Sequence, residues 1–335
     1  MLCVNNMNIA LDRRECGSDL DFISHAHSDH TSAAGSSQYI LASSETMQLL
    51  GRECGAYATL RVSDDALFSL LDSGHMLGAK QLRIDNTETG ERTVYTGDFK
   101  MQGSRTTKSI EIVNADTVIV DSTYPEPWMR FDDREEVESC LQDWTRNKLR
   151  YGIVLFSAYA MGKSQEIIAM LNEIGITPIV SKRISAASMV YRGCGINIEY
   201  ASAYDDASDY ESITRDNFVG ITDSRDVRGL GSALSSIYEK RVFTAVATGF
   251  AKKFRFDTDA QFALSDHADF RQCVDYIDAT EARHVLTYGR SAETLAENLR
   301  RAGYAAVPLC AGRKPVLQSR SVILETPKFE DIRQS

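Results

Sequence analysis

The segment Ser24-His25-Ala26-His27-Ser28-Asp29-His30 places four groups able to bind a metal within six residues. The chain of 335 residues has only 6 His, and three of them are here. Alternate side chains of an extended segment share a side, so His25 and His27 point together. Asp29 and His30 then turn toward a second position close by. Imidazole and carboxylate suit zinc-like ions, and two such clusters side by side would suit two metals. One histidine after a strand would be an ordinary polar turn residue. Three with an aspartate, drawn from so small a pool, read first as a metal signal.

His75 lies in Asp72-Ser73-Gly74-His75-Met76-Leu77-Gly78, where glycines let the backbone approach something closely. Asp98 follows Gly97 after the strand-like stretch Thr93–Thr96. Each alone reads equally well as a turn residue or a ligand. Taken in order with the first cluster, they complete the set H-x-H-x-D-H … H … D.

Short apolar strands must position these residues. Leu20, Phe22 and Ile23 lead into His25, Val94–Thr96 runs into Asp98, and the β-branched run Thr117–Val120 stops at Asp121. Strand ends are where sites collect in α/β proteins. Ala66–Leu71 and Leu82–Ile84 are also strand-like. After Pro125 and Pro127 a helix is predicted, with Val137, Leu141 and Trp144 at i, i+4 and i+7. Gly152–Phe156 reads as a buried strand, and the turn Ser157–Gly162 opens a helix carrying Ile167, Ile168 and Leu171. Further strands are expected at 176–182, 196–200, Val242–Ala247, Val285–Thr287 and Val322–Leu324, with a helix over Ala292–Ala302. Ala201–Tyr210 reads as a solvent loop. Alternation of strand and helix from 150 to 250 suggests a parallel α/β unit, placed as an insertion between two parts of one domain.

His25–His30, Gly74-His75 and Gly97-Asp98 together resemble the metallo-β-lactamase superfamily. The resemblance implies a four-layer αβ/βα sandwich with its site at the strand ends. It implies that His25, His27 and His75 hold one zinc, that Asp29 and His30 face a second, and that Asp98 bridges both. A metal-activated water would be the nucleophile. Val120-Asp121-Ser122-Thr123-Tyr124 looks like the first signature of the β-CASP nucleases, and Leu264-Ser265-Asp266-His267-Ala268-Asp269-Phe270 looks like the second. Phe156–Glu166 is similar to the strand, loop and helix that open the β-CASP insertion. The likeness runs from about residue 8 to 300 and looks closest to compact bacterial and archaeal members, described as messenger-RNA 3′-end-processing-factor-like proteins or ligase-associated DNA exonucleases. It implies a metallo-β-lactamase domain at 1–125 and 260–335, interrupted by an inserted α/β β-CASP domain at 126–259.

Physical chemistry fits those assignments. His267 is a natural general acid, although Ser265 or Asp266 could equally cap a following helix. Asp121 could orient the imidazole of His267 and raise its pKa. With Asp29 they form the expected catalytic set. One position departs from the family pattern. In Val285-Leu286-Thr287-Tyr288-Gly289, Tyr288 stands where many members carry a third signature histidine. Neutral phenol is a poor zinc ligand, so one tightly bound zinc and a weaker second ion are expected. His284 reads as structural.

The formal charge of -10 argues against binding nucleic acid over the whole surface. A phosphodiester substrate would need a local basic cleft, for which Lys163, Lys252, Lys253 and Arg255 are the candidates. Lys182-Arg183 and Lys100, Arg105 and Lys108 are further basic groups, and Phe250 and Tyr159 could stack on bases. No stretch approaches 18 apolar residues, so no membrane partner is expected. Seven dispersed cysteines without a C-x-x-C pair, and no visible secretory signal, point to a reducing cytoplasm. A zinc-dependent nuclease acting on RNA or DNA, by 5′-to-3′ exonuclease action in RNA processing or DNA repair, is the expected function. A thioester or lactone hydrolase and a catalytically silent scaffold of an RNA-processing complex are the alternatives.

Overall fold

A computed structural model describes residues 2–4, 7–32, 39–52, 59–63, 66–202, 214–309, 315–318 and 321–324. It is mixed α/β, with three sheets among the described residues. A seven-stranded sheet runs in the order Ala306–Pro308, His284–Tyr288, Thr117–Asp121, Arg92–Tyr95, Lys80–Asn86, Ala66–Asp72 and Thr59–Ser63. A six-stranded sheet runs Ser321–Leu324, Pro315–Gln318, Leu2–Val4, Met7–Leu11, Leu20–Phe22 and Ile40–Leu41.

These two sheets face each other. Ile9, Leu11 and Phe22 of one meet Phe68, Leu82, Tyr95, Ile119 and Leu286 of the other in a common core. The outer face of the seven-stranded sheet is covered by helices Phe270–Thr280 and Ala292–Arg301, through Tyr276, Ile277, Leu295 and Leu299 against Val94, Val118 and Val285. Thr117–Val120 is therefore apolar or β-branched on both faces because both faces are buried.

A third sheet is wholly parallel: Ala201–Ser202, Ile179–Val180, Val219–Thr222, Ile153–Ser157, Val242–Ala247 and Ala260–Phe262. Its own core joins Val154, Phe156 and Ala245 to Leu141, Ile167, Ile168, Leu171 and Ile184 from helices Arg134–Leu149, Lys163–Glu173 and Lys182–Gly193. Parallel strands require such crossovers. Two expected strands moved. The one at 176–182 shrinks to Ile179–Val180 because Lys182 already begins a helix, and the one at 196–200 is replaced by Ala201–Ser202. Residues 203–210 of the expected solvent loop lie outside the described residues. The helix after His267 is capped by Asp269 in a capping box with Gln272, and not by Ser265 or Asp266.

Two glycines let separate strand ends approach. Gly74 has φ +80, and a Cβ there would lie 2.6 Å from the Lys100 carbonyl oxygen and 2.9 Å from the Ile110 nitrogen. Gly97 has φ +55, and its Cβ would sit 2.6 Å from the Cβ of Ser24. The obstacles at Gly74 are backbone and cannot swing aside. Gly74→Ala is expected to cost about 2–4 kcal/mol of unfolding free energy. A urea denaturation midpoint that places the loss below about 1 kcal/mol would contradict this packing.

Candidate metal centre

Histidines from two sheets meet at the carboxyl ends of strands. Leu20–Phe22 runs parallel to Met7–Leu11, and Thr117–Asp121 runs parallel to both Arg92–Tyr95 and His284–Tyr288. Each parallel neighbour therefore releases its chain toward the same edge. His25, His27 and His30 follow the first strand, Asp98 follows Arg92–Tyr95, and Asp121 ends its own. His75 follows Ala66–Asp72, where Gly74 bridges to Phe99 and so lies beside the Asp98 turn.

His25 Nε2 lies 3.1 Å from His27 Nδ1, and His75 Nε2 lies 3.1 Å from the same atom. Asp98 Oδ2 is 3.5 Å from His25 Nε2 and 3.8 Å from His75 Nε2. Ligands about 2.0–2.2 Å from a tetrahedral zinc stand about 3.3–3.6 Å apart. The three imidazoles and Asp98 thus have the chemistry and spacing of a zinc-sized four-donor set. The same Asp98 Oδ2 is 3.4 Å from His30 Nε2, which lies 3.8 Å from Asp29 Oδ2. Asp29 is 80% exposed in its side chain, while that of Asp98 is 10% exposed. Asp29 and His30 therefore approach the centre pairwise, and among the described residues they do not close with Asp98 into a convergent three-donor group.

The remaining ring nitrogens fix which atoms converge. His25 Nδ1 is 2.9 Å from Ser24 Oγ, whose hydroxyl donates to Asp12 Oδ2. His30 Nδ1 is 2.8 Å from the same Asp12 oxygen. His27 Nε2 meets the Met161 carbonyl at 3.2 Å, and His75 Nδ1 meets the Asp266 carbonyl at 2.8 Å. Each outer nitrogen can donate, so the inner nitrogens of His25, His27 and His75 present lone pairs. Burial, reinforced by neighbouring imidazoles, lowers His25 and His75 well below the usual histidine range, and burial also lowers His27. These rings are neutral at pH 7 and ready to ligate. Burial also works to lower His30, but Asp98 and Asp12 outweigh it and push it up to about 10. An ion on that side must displace a proton.

Asp12 was not singled out by sequence reasoning. It is fully buried, at φ 60, just after the strand Met7–Leu11. It accepts from the Ser24 amide at 2.6 Å, the Tyr95 hydroxyl at 2.6 Å, Ser24 Oγ and His30. The same rule of apolar strand followed by acid, which drew attention to Asp98 and Asp121, would have found it.

His267 Nδ1 lies 3.1 Å from Asp121 Oδ2 and 3.8 Å from Asp98 Oδ2. Its ring is 4.6 Å from that of His75. Burial works to lower the His267 pKa, but Asp98 and Asp121 outweigh it and the net shift is upward. Asp98, Asp121 and His267 also form a group whose ligand atoms converge. Tyr288 points elsewhere. Its hydroxyl donates to the Leu11 carbonyl at 2.8 Å, and its ring packs edge-on against Tyr95. His284 begins its strand, its amide donating to the Asp116 carbonyl.

The basic candidates divide. Lys252, Lys253 and Arg255 are exposed on the segment around the short turn Gly249–Lys252, with Lys252 paired to Asp132 at 2.6 Å. Phe250 packs on Tyr124 at 5.2 Å, and the Tyr124 ring is 5.9 Å from His267. That segment therefore adjoins the site. Tyr159 is exposed, with its ring 6.2 Å from that of His27. Lys163 does not fit the role of an open phosphate contact. It is buried, and its Nζ lies 2.8 Å from Asp266 Oδ1. Lys100 is likewise buried, Arg105 pairs with Glu138 and Glu173, and Arg183 pairs with Asp223.

Replacing Asp12 leaves the buried Tyr95 hydroxyl and Ser24 amide without an acceptor. Asp12→Ala is expected to lose at least about 3 kcal/mol of stability, together with occupancy on the His30 side. Calorimetry and zinc titration of the variant check this, and unchanged stability with unchanged stoichiometry would contradict it.

No family model matches the chain. A probable DNA ligase of Opitutus terrae is 27% identical over 302 residues, covering 85% of this chain but 28% of the ligase. An uncharacterized protein in the lig 3′ region of Acidianus ambivalens is 38% identical over 122 residues, covering 36% of this chain and 83% of that protein. The probable RNase MJ4 of Methanocaldococcus jannaschii is 29% identical over 117 residues, covering 33% of this chain and 27% of the RNase. A crystal structure of a protein of unknown function from Enterococcus faecalis aligns with TM-score 0.57 at 14% identity, over 87% of this chain and 79% of that one, a likeness of fold alone.

Proposed function

Because this chain belongs to the β-CASP nuclease family of the metallo-β-lactamase superfamily, we propose that it is a zinc-dependent nuclease hydrolysing phosphodiester bonds in RNA or DNA. The observation that carries the reading is one arrangement. A zinc-sized set of His25, His27, His75 and Asp98 stands within 3.8 Å of a paired His267 and Asp121. A bound zinc would favour the ionised form of an attacking water and polarise the phosphoryl oxygens.

The chain's own groups then have separate tasks. His25, His27, His75 and Asp98 hold the first ion. Asp29 and His30 share Asp98 toward a second, more exposed position. His267, its Nδ1 engaged by Asp121, keeps Nε2 for the proton that the leaving oxygen takes up. The upward pKa shift keeps that proton in place near neutral pH. Lys252, Lys253 and Arg255 draw the phosphate backbone to the cleft. Phe250 is half-buried against Tyr124, so Tyr159 is the better stacking group for a base.

In this reading the catalytic sandwich is four-layered αβ/βα and comprises 1–125 and the chain beyond the third sheet, and the β-CASP insertion starts at 126 but extends past the expected end at 259, because Ala260–Phe262 pairs with Val242–Ala247 in the third sheet. The favoured mode is 5′-to-3′ exonuclease action. The relatives named as ligase and RNase make DNA repair and RNA processing the two settings to separate. A cytoplasmic place agrees with free thiols at Cys3, Cys16, Cys140, Cys194 and Cys273. Among the described residues no helix is long and apolar enough to cross a membrane. The Asp121 and His267 signatures of the β-CASP nucleases favour this reading over a thioester or lactone hydrolase.

The test is a panel of 5′- and 3′-labelled RNA and DNA strands. Wild type should degrade at least one of them. His267→Ala is expected to lose about 10²–10⁴-fold in rate, and Asp98→Ala at least as much. Equal degradation by wild type and Asp98→Ala would refute the mechanism. Thioester hydrolysis without any nuclease activity would establish the alternative hydrolase.

The phenol of Tyr288, turned to the Leu11 carbonyl, leaves the second ion with protein ligands from Asp29, His30 and Asp98 only. Gentle dialysis followed by metal analysis should retain about one ion per chain. Two robustly held ions would contradict the role given to Tyr288.

A further inference from the structure

The turn and helix start at Met161–Lys163 belong to the parallel third sheet, yet they grip the metal centre twice. The Met161 carbonyl takes the outer nitrogen of His27. Lys163 reaches Asp266, whose own carbonyl takes the outer nitrogen of His75 and whose neighbour is His267. We propose that Lys163 is a positioning residue: its ammonium anchors the Asp266 carboxylate, so that the Asp266 carbonyl aims His75 and the following peptide aims His267. The proposal rests on the nuclease reading for its kinetic consequence but not for its consequence on metal affinity.

The surroundings show why this anchor is specific. Asp266 is 8% exposed and three cations converge on its Oδ1: Lys163 at 2.8 Å, Lys100 at 4.0 Å and Arg134 at 4.0 Å. Arg134 Nη1 also donates to the Ser265 carbonyl at 3.0 Å, and its Nη2 meets Glu166 at 3.0 Å. Glu166 is held in turn by the Ser104 and Thr106 hydroxyls and the Thr106 amide. Carboxylates and cations thus share one buried cluster, and removing one partner strands the others. Lys163 is the closest cation to Asp266, and it sits two residues from the carbonyl that aims His27. One local segment therefore sets two of the three imidazoles of the first ion.

A substrate-binding lysine and a positioning lysine differ in what their loss does. Lys163→Met keeps the length and apolar stem but removes the charge. It is expected to weaken zinc affinity by about 10–100-fold, as loss of an outer-shell partner does. The same factor should fall on kcat, with KM changed less than about twofold. Lys163→Arg, which retains the ion pair, should restore both to within about threefold of wild type. Asp266→Asn removes the anchored charge and should reproduce the Lys163→Met zinc defect.

Zinc affinity is read by competition with a chromophoric chelator, alongside circular dichroism to establish folding. The zinc arm reports on positioning even if no nucleic acid proves to be a substrate, which would overturn the nuclease reading alone. Folded Lys163→Met with unchanged zinc affinity overturns the positioning role. Raised KM with unchanged kcat and zinc affinity overturns it in favour of a phosphate contact. If neither Lys163→Met nor Asp266→Asn folds, the pair is a determinant of the fold and the positioning role is withdrawn.

Discussion

Convergent lone pairs govern this structure. His25 Nε2 and His75 Nε2 each come within hydrogen-bonding distance of His27 Nδ1, but the outer nitrogens of all three rings are engaged with acceptors. Protons needed outside cannot also serve inside. Acceptors then face acceptors in a buried space, an arrangement that costs free energy unless a cation fills it. The groups that impose this pattern are Asp12 through Ser24, the Met161 carbonyl and the Asp266 carbonyl. Two of them come from outside the paired sheets' strand ends, so the centre is a product of several elements and not of the histidine cluster alone.

The rest of the fold can be understood as support for that convergence. Parallel neighbours release His25, Asp98 and Asp121 toward one edge. Gly74 and Gly97 remove the side chains that would hold the strand ends apart. The buried ion cluster around Asp266 closes the third sheet onto the same edge. Under the proposed nuclease reading, a net charge of -10 would be compatible with a phosphodiester substrate if attraction were local, at the exposed Lys252, Lys253 and Arg255 segment beside Tyr124.

Local features were the legible ones. His25–His30 lie within six residues, and their clustering needs no knowledge of the fold. The strands Thr117–Asp121 and Ile153–Ser157 announce themselves by β-branched and apolar runs. Asp12, which holds two histidines, follows the short strand Met7–Leu11 as Asp98 and Asp121 follow or end theirs, and only that strand-end rule makes it legible. Lys163 was misread. Its charge makes it a candidate for a basic cleft, while its partner Asp266 lies about a hundred residues on and appears in no spacing rule. Residues 196–200 failed as a strand because apolar alternation there serves packing: Ile198 is buried in the core of the third sheet while the pairing strand begins at Ala201.

The most direct measurement is a crystal structure of the zinc-loaded protein with anomalous data at the zinc edge. The expected result is a peak about 2.0–2.2 Å from His25 Nε2, His27 Nδ1, His75 Nε2 and Asp98 Oδ2. A protein that takes up zinc with no peak among those four atoms would contradict a metal centre built on His25, His27, His75 and Asp98.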